Sequence, residues 1–173
     1  MKRILILFQF FLLVQASAQS EFAATAFYNE FKKIYTDAQE GFNDCRGVPM
    51  KTGYESIQSE YRLKCHLPLS DSGKLVIPLN GRPYAIYYFE PDKLRLKVDQ
   101  RSVNLREAIV IAFGEPLFAR TETNLVNNHP FSSTLYFTNP DDDSAANALF
   151  RQTVYYDNGK YYLTLEFRGK RRQ

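Results

Sequence analysis

Two histidines, His66 and His129, are the chain's natural proton carriers near neutral pH. His129 sits in Asn127-Asn128-His129-Pro130, a turn-forming stretch where an exposed imidazole could serve as acid or base. His66 closes a run of alternating apolar residues beside Cys65 and reads as structural. The two are far apart in sequence. No His-Glu-x-x-His, Gly-x-Ser-x-Gly or glycine-rich phosphate loop accompanies them. A Ser/His/Asp site would have to be assembled from distant segments, so no catalytic residue is assigned. No cofactor and no metal is expected.

The sharpest polar feature is Asn139-Pro140-Asp141-Asp142-Asp143-Ser144. Three carboxylates and an amide oxygen could hold a hard cation such as Ca²⁺. The run lacks the glycine and the distant glutamate of an EF-hand. The simpler expectation is a solvated loop in which Asp143 or Ser144 caps a helical turn through Ala145-Ala146-Asn147.

Tyrosine is abundant, with 12 in the chain, and it recurs in adjacent pairs: Tyr87-Tyr88, Tyr155-Tyr156 and Tyr161-Tyr162. Neighbours in a strand point to opposite faces, so each pair supplies one inward and one outward ring. Strand propensity accounts for much of this. A row of outward tyrosines would also make a recognition surface, and Tyr156 and Tyr162 are its candidate binding residues.

Cys45 and Cys65 are the two cysteines. They contain no Cys-x-x-Cys, and a lone pair in an oxidising compartment is most simply a disulfide. The compartment is read from the first residues. Met1, Lys2 and Arg3 form a positive start, Ile4 to Gln15 is almost wholly apolar, and Ala16-Ser17-Ala18 is the small-x-small pattern of a cleavage site. Twelve helical residues span about 18 Å, well short of a ~30 Å hydrocarbon core. Residues 1–18 are therefore expected to be a cleaved signal peptide, with no transmembrane segment in the mature chain. The net charge is +3 and the leader holds Lys2 and Arg3, so residues 19–173 are close to neutral. That balance demotes nucleic acid as a partner. The one basic run, Arg168-Gly169-Lys170-Arg171-Arg172, reads as a solvated, frayed terminus, or else as a contact with an anionic surface.

The elements that must position these residues follow from periodicity. Phe27, Phe31, Ile34, Tyr35, Ala38 and Phe42 form one stripe at helical spacing, which predicts a long helix over about 21–43. Strands are expected over 54–67, 74–79 and 82–90. Asn80-Gly81 suits a two-residue turn, and Pro78 and Pro83 place that end at a sheet edge. Lys93 to Asp99 alternates as a strand. Asn104 and Glu107 form a capping box for a short second helix, with Leu105, Ala108, Ile109 and Ala112 on one face and Gly114 as its stop. Val110 and Ile111 make that helix apolar nearly all round, so it should be largely buried. Later strands fall at 117–122, 134–138, 148–156 and 160–168, the last two joined at Asp157-Asn158-Gly159.

The pattern predicts a single α+β domain over 19–173. It would be a two-layer sandwich, with a long N-terminal helix and a short second helix on a largely antiparallel, curved sheet. The expected function is a non-enzymatic binding or accessory module, secreted or periplasmic in a bacterial envelope, with a protein or glycan partner. A small hydrolase acting on envelope or host material is the second reading. A structural protein assembling through its edge strands is the third.

Overall fold

The computed structural model describes Phe22, Thr25 to Val126, His129 to Asp142 and Ser144 to Lys170. The expected leader, Asp143 and the last residues of the basic tail lie outside the described residues. Helix α1 (Thr25–Gln39) comes first, and strands β1 (Arg46–Met50), β2 (Ile57–Leu63), β3 (Ser70–Pro78) and β4 (Tyr84–Asp92) follow. Helix α2 (Arg95–Phe113) precedes β5 (Phe118–Val126) and β6 (His129–Thr138). A 3₁₀ turn (Ala145–Asn147), β7 (Phe150–Asp157) and β8 (Lys160–Arg168) complete the order.

All eight strands form one antiparallel sheet in the order β1-β2-β3-β4-β8-β7-β6-β5. Two meanders therefore meet at the β4–β8 seam, and α2 carries the chain from the middle of the sheet to its far edge. A 19-residue helix is about 28 Å long, more than the ~19 Å that four strand spacings require. Both helices pack on the same face, chiefly over the central strands β4, β8 and β7. The expected two-layer α+β sandwich is the observed one. The sheet is bent by ladder irregularities at Arg46/Pro49, Ile57/Ser59, Ser70/Ser72, Phe89/Asp92 and Asn124/Leu125, which raise local twist.

The α1 stripe works as its spacing implies. Phe27, Phe31, Ile34 and Ala38 are fully buried. Phe31 packs at 5.0 Å from Phe150 and 4.9 Å from Phe167, ring centre to ring centre. Tyr87, Phe89, Leu163 and Leu165 extend this apolar cluster along the central strands. Gly73 sits where a Cβ would lie 2.8 Å from Leu63 Cδ1 and 3.0 Å from Tyr87 Cδ1, so a bare backbone lets Tyr87 lie flat there.

Several sequence expectations are corrected. Lys93–Asp99 is not a strand: Arg95 to Phe113 is one helix, and at 19 residues it is longer than the 15-residue α1 rather than short. The alternation of Leu94, Leu96 and Val98 misleads, because Val98 is buried while Leu94 and Leu96 are exposed. Asn104 does not cap α2. It lies inside it and accepts from Gln100 Nε2 at 3.1 Å, while Asp92 Oδ1 accepts from Leu94 N–H at the true start. Gly114 does stop the helix, in the left-handed region at φ 77°, with its N–H donating to Val110 O. Helix α2 is also not buried all round, since Val110 and Ile111 are 47% and 60% exposed.

The β3–β4 connection runs from Leu79 to Pro83 and is not a two-residue turn. It lies at mid-sheet rather than at an edge. The missing donor of Pro78 is accommodated because Leu79 N–H reaches Ser56 O, and Pro83 O accepts from Gly169 N–H. The last hairpin is as expected: Asp157 pairs with Lys160, and Asn158 and Gly159 both adopt positive φ. β1, over Arg46–Met50, carries no strand signal in the sequence.

Candidate functional site

The register assigns every sheet residue to the helix-covered face or to the open face. On the open face, β4 presents Tyr84, Ile86 and Tyr88. Opposite them on β8 stand Arg168, Glu166 and Thr164. β7 adds Arg151, Thr153 and Tyr155, and β6 adds Tyr136, Thr134 and Ser132. Five tyrosines, Tyr84, Tyr88, Tyr136, Tyr155 and Tyr162, thus share a face that no described helix covers.

Tyr162 stacks on Tyr155 with ring centres 5.1 Å apart and planes 11° apart. Tyr156 pairs with Tyr161 instead, at 4.9 Å, on the helix-covered face. The structure therefore does not bring Tyr156 and Tyr162 together. Tyr162 belongs to the open tyrosine face, and Tyr156 belongs to the rim of the other. The adjacent pairs carried this signal, but which member faces out needed the register.

Polar groups run between the open-face tyrosines. Thr134 and Thr153 hydroxyls are 3.1 Å apart. Lys74 Nζ donates to Glu60 Oε1 at 2.8 Å. Glu166 lies 3.5 Å from Arg168 Nη1 and 3.8 Å from Arg151 Nη1, and the Arg151 guanidinium lies over Tyr136 at 5.2 Å. Burial raises the Glu166 pKa above the ordinary carboxylate value, and Arg151, Arg168 and Arg82 offset that only in part. Burial likewise raises Tyr84, Tyr88, Tyr136 and Tyr155. The face holds neutral phenols able both to donate and to accept, interleaved with cations.

On the helix-covered face a groove follows α2 along β5 and β6. Its polar part, about 220 Å³, is lined by Arg95, Ser102, Arg106, Thr121, Ser133 and Gln152 among others. Gln152 is 2% exposed, and its Nε2 donates to Ser102 O at 2.6 Å and Ser102 Oγ at 2.5 Å. Among the described residues its Oε1 has no hydrogen-bond partner. The groove then turns apolar between Val110 and Ile111 of α2 on one side and Leu117, in the connection before β5, with Ala119 and Phe137 of the strands on the other.

The remaining sequence candidates have clear places. Cys45 and Cys65 are disulfide-bonded. Buried Asp37 stands against them, and its two oxygens accept from Asp44 N–H at 2.9 Å and Cys45 N–H at 2.8 Å. This trio has ligand-type atoms close together, but its sulfurs are joined to each other and its carboxylate is occupied by backbone donors. His66 is exposed and lines a shallow depression of about 610 Å³ with Glu30 and Asp44. Among the described residues no hydrogen bond or ion pair joins it to either. The sulfur that lines it, Cys65, is in the disulfide. His129 opens β6 opposite Val126, and its side chain lies outside the described set.

In the acidic loop, Asp142 Oδ1 accepts from Ser144 N–H and Oδ2 from Asn147 Nδ2. Ser144 caps the 3₁₀ turn through Ala146 N–H, as the sequence implies. The first two residues of the basic run are held in place. Arg168 is inside β8, and Gly169 O accepts from Arg82 Nε at 2.5 Å.

No protein-family model, no curated protein and no solved structure matches this chain. The fold and the surfaces define an open two-layer α+β protein with eight antiparallel strands. Among the described residues no helix is long and apolar enough to cross a membrane.

Proposed function

We propose that this is an exported, non-enzymatic binding module that captures a protein partner through the open face of its sheet. The observation that carries the reading is the shared placement of Tyr84, Tyr88, Tyr136, Tyr155 and Tyr162 with Arg151 on a helix-free face. Tyrosine and arginine are the residue types enriched at interface hot spots. A sheet already fixed by its neighbours loses little entropy on binding. A protein is favoured over a glycan because Tyr155 and Tyr162 stack on one another. Each ring gives one of its faces to the other, which halves the ring face left for a sugar and leaves edges and hydroxyls for a protein. Export is supported by the leader pattern of residues 1–18 and by the disulfide.

The test compares affinity capture from the native envelope or medium by the wild-type chain, by Tyr155→Ser/Tyr162→Ser and by Tyr156→Ser. The expected outcome is a partner held by wild type and by Tyr156→Ser, and lost from the double variant while its circular dichroism stays native. Retention of the partner by a folded double variant would show that the surface is wrong.

A further inference from the structure

The two edges of the sheet differ. β1 is five residues long, contains Pro49 and is interrupted by a register shift between Arg46 and Pro49. Proline and bulges are devices that stop a strand edge from pairing with another chain. β5 has neither over Phe118–Asn124. It is nine residues long, its one irregularity falls at Asn124/Leu125, and among the described strands it is bonded to β6 alone. Its outward row of backbone donors and acceptors is a template for another strand.

The side chains of β5 specify which strand. In an antiparallel pair, directly opposite residues point to the same face. If β5 pairs with a second β5 around a two-fold axis, the axis must therefore pass through a residue. Centring on Arg120 sets arginine against arginine, and centring on Glu122 sets glutamate against glutamate. Centring on Thr121 sets each Arg120 against the other chain's Glu122 and overlaps the strands from Phe118 to Asn124. Arg120 and Glu122 already lie 3.2 Å apart within one chain, both on the open face and both well exposed. In this register they would close into a four-charge ring.

Apolar surface beside the edge points the same way. Val103, Val110 and Ile111 of α2 are 40%, 47% and 60% exposed, and the last two face Leu117, just before β5, and Ala119 of β5 across the apolar groove. A two-fold axis perpendicular to the sheet keeps both helix layers on one side. It brings both apolar grooves toward the seam, where each can cover the other.

We infer that the chain forms a two-fold homodimer by β5–β5 pairing centred on Thr121, giving one continuous sheet with two tyrosine faces side by side. The interface is isologous and consumes the open edge. β1, with its proline, ends the assembly on both sides, so the dimer is closed rather than fibrous. The inference adds to the proposed partner surface but uses different residues, so either can fail alone.

Sedimentation equilibrium on the folded mature chain, from low micromolar to near-millimolar concentration, tests it. Wild type should reach twice the chain mass. Arg120→Glu and Glu122→Arg should each weaken dimerisation about tenfold or more, because like charges then stand opposite at two symmetric positions. The double variant Arg120→Glu/Glu122→Arg should restore the dimer, which also shows that the positions tolerate substitution. An equimolar mixture of the two single variants should form the heterodimer. Tyr155→Ser/Tyr162→Ser should keep the dimer. A wild type that stays monomeric throughout overturns the proposal. So does dimerisation that both charge reversals leave unchanged, since that places the contact elsewhere.

Discussion

Glu166 illustrates how a single residue couples the open face to solution conditions. It is held by two arginines at ion-pair rather than hydrogen-bond distance, with its side chain 15% exposed. Burial dominates, so its carboxyl binds its proton more tightly in the folded chain than in the unfolded one. A raised carboxyl pKa contributes stability that is present below the ordinary carboxylate range. That contribution is lost as pH rises through the raised value. Glu166→Gln cannot titrate. The stability of the wild type relative to this variant should therefore fall as pH rises from the ordinary carboxylate range through the raised value. Denaturant midpoints measured for both proteins across that range check the point, and parallel curves would contradict it.

Single residues also mark where the sequence was legible. Asn158 and Gly159 announced their turn because few residues other than glycine and asparagine accept positive φ there. Cys45 and Cys65 announced their bond because a lone cysteine pair behind an export-type leader is most simply a disulfide. Asp37 was not legible as a buried group. It sits on the polar edge of a helical stripe, and its partners, the N–H groups of Asp44 and Cys45, belong to a loop whose path no periodicity fixes.

At the level of elements, the errors share one cause. Short apolar runs satisfy strand and helix periods about equally well, and tertiary packing then decides. Lys93–Asp99 alternates, yet the chain must leave β4 and cross the sheet to reach β5. A helix begun at the Asp92 carboxylate does this, with Arg95 and Asp99 paired one turn apart at 3.2 Å. The two readings differ in a measurable way. A strand would put Leu96 and Val98 on one face with equal claims to burial, whereas α2 leaves Leu96 80% exposed and Val98 1% exposed. Leu96→Lys should change stability by no more than about 0.5 kcal/mol, while Val98→Ala should cost about 2 kcal/mol. Thermal or urea unfolding of the two variants decides it, and equal losses would favour the strand. A different limit hid the open groove, since Val110 and Ile111 are legible as helical. The sequence shows that Val110 and Ile111 are apolar, but not that the helix turns them away from the core.

For the whole molecule, the main consequence of the fold is uneven cover. The helices shield the central strands, and the meanders reach beyond them on both sides. The layer arrangement was readable from helix and turn signals. The strand order was not, because the β4–β8 pairing joins residues that local sequence does not relate. Each flank is secured differently. On the β5 side the edge is open among the described strands and is the place proposed for a second copy. On the β1 side the disulfide does the work: Cys45 immediately precedes β1 and Cys65 follows β2. It closes a loop over a sequence separation of 20, and removing such a loop closure costs about 3 kcal/mol in the chain-entropy model. Cys45→Ala/Cys65→Ala should lower stability by that amount. Because Asp37 still holds the backbone at Asp44 and Cys45, the folded state should survive with its damage confined to one flank. Amide exchange should accelerate in β1 and β2 while β7 and β8 keep their protection, and the β5-mediated dimer should persist. Faster exchange spread evenly across the sheet would mean that the disulfide braces the entire core rather than one flank.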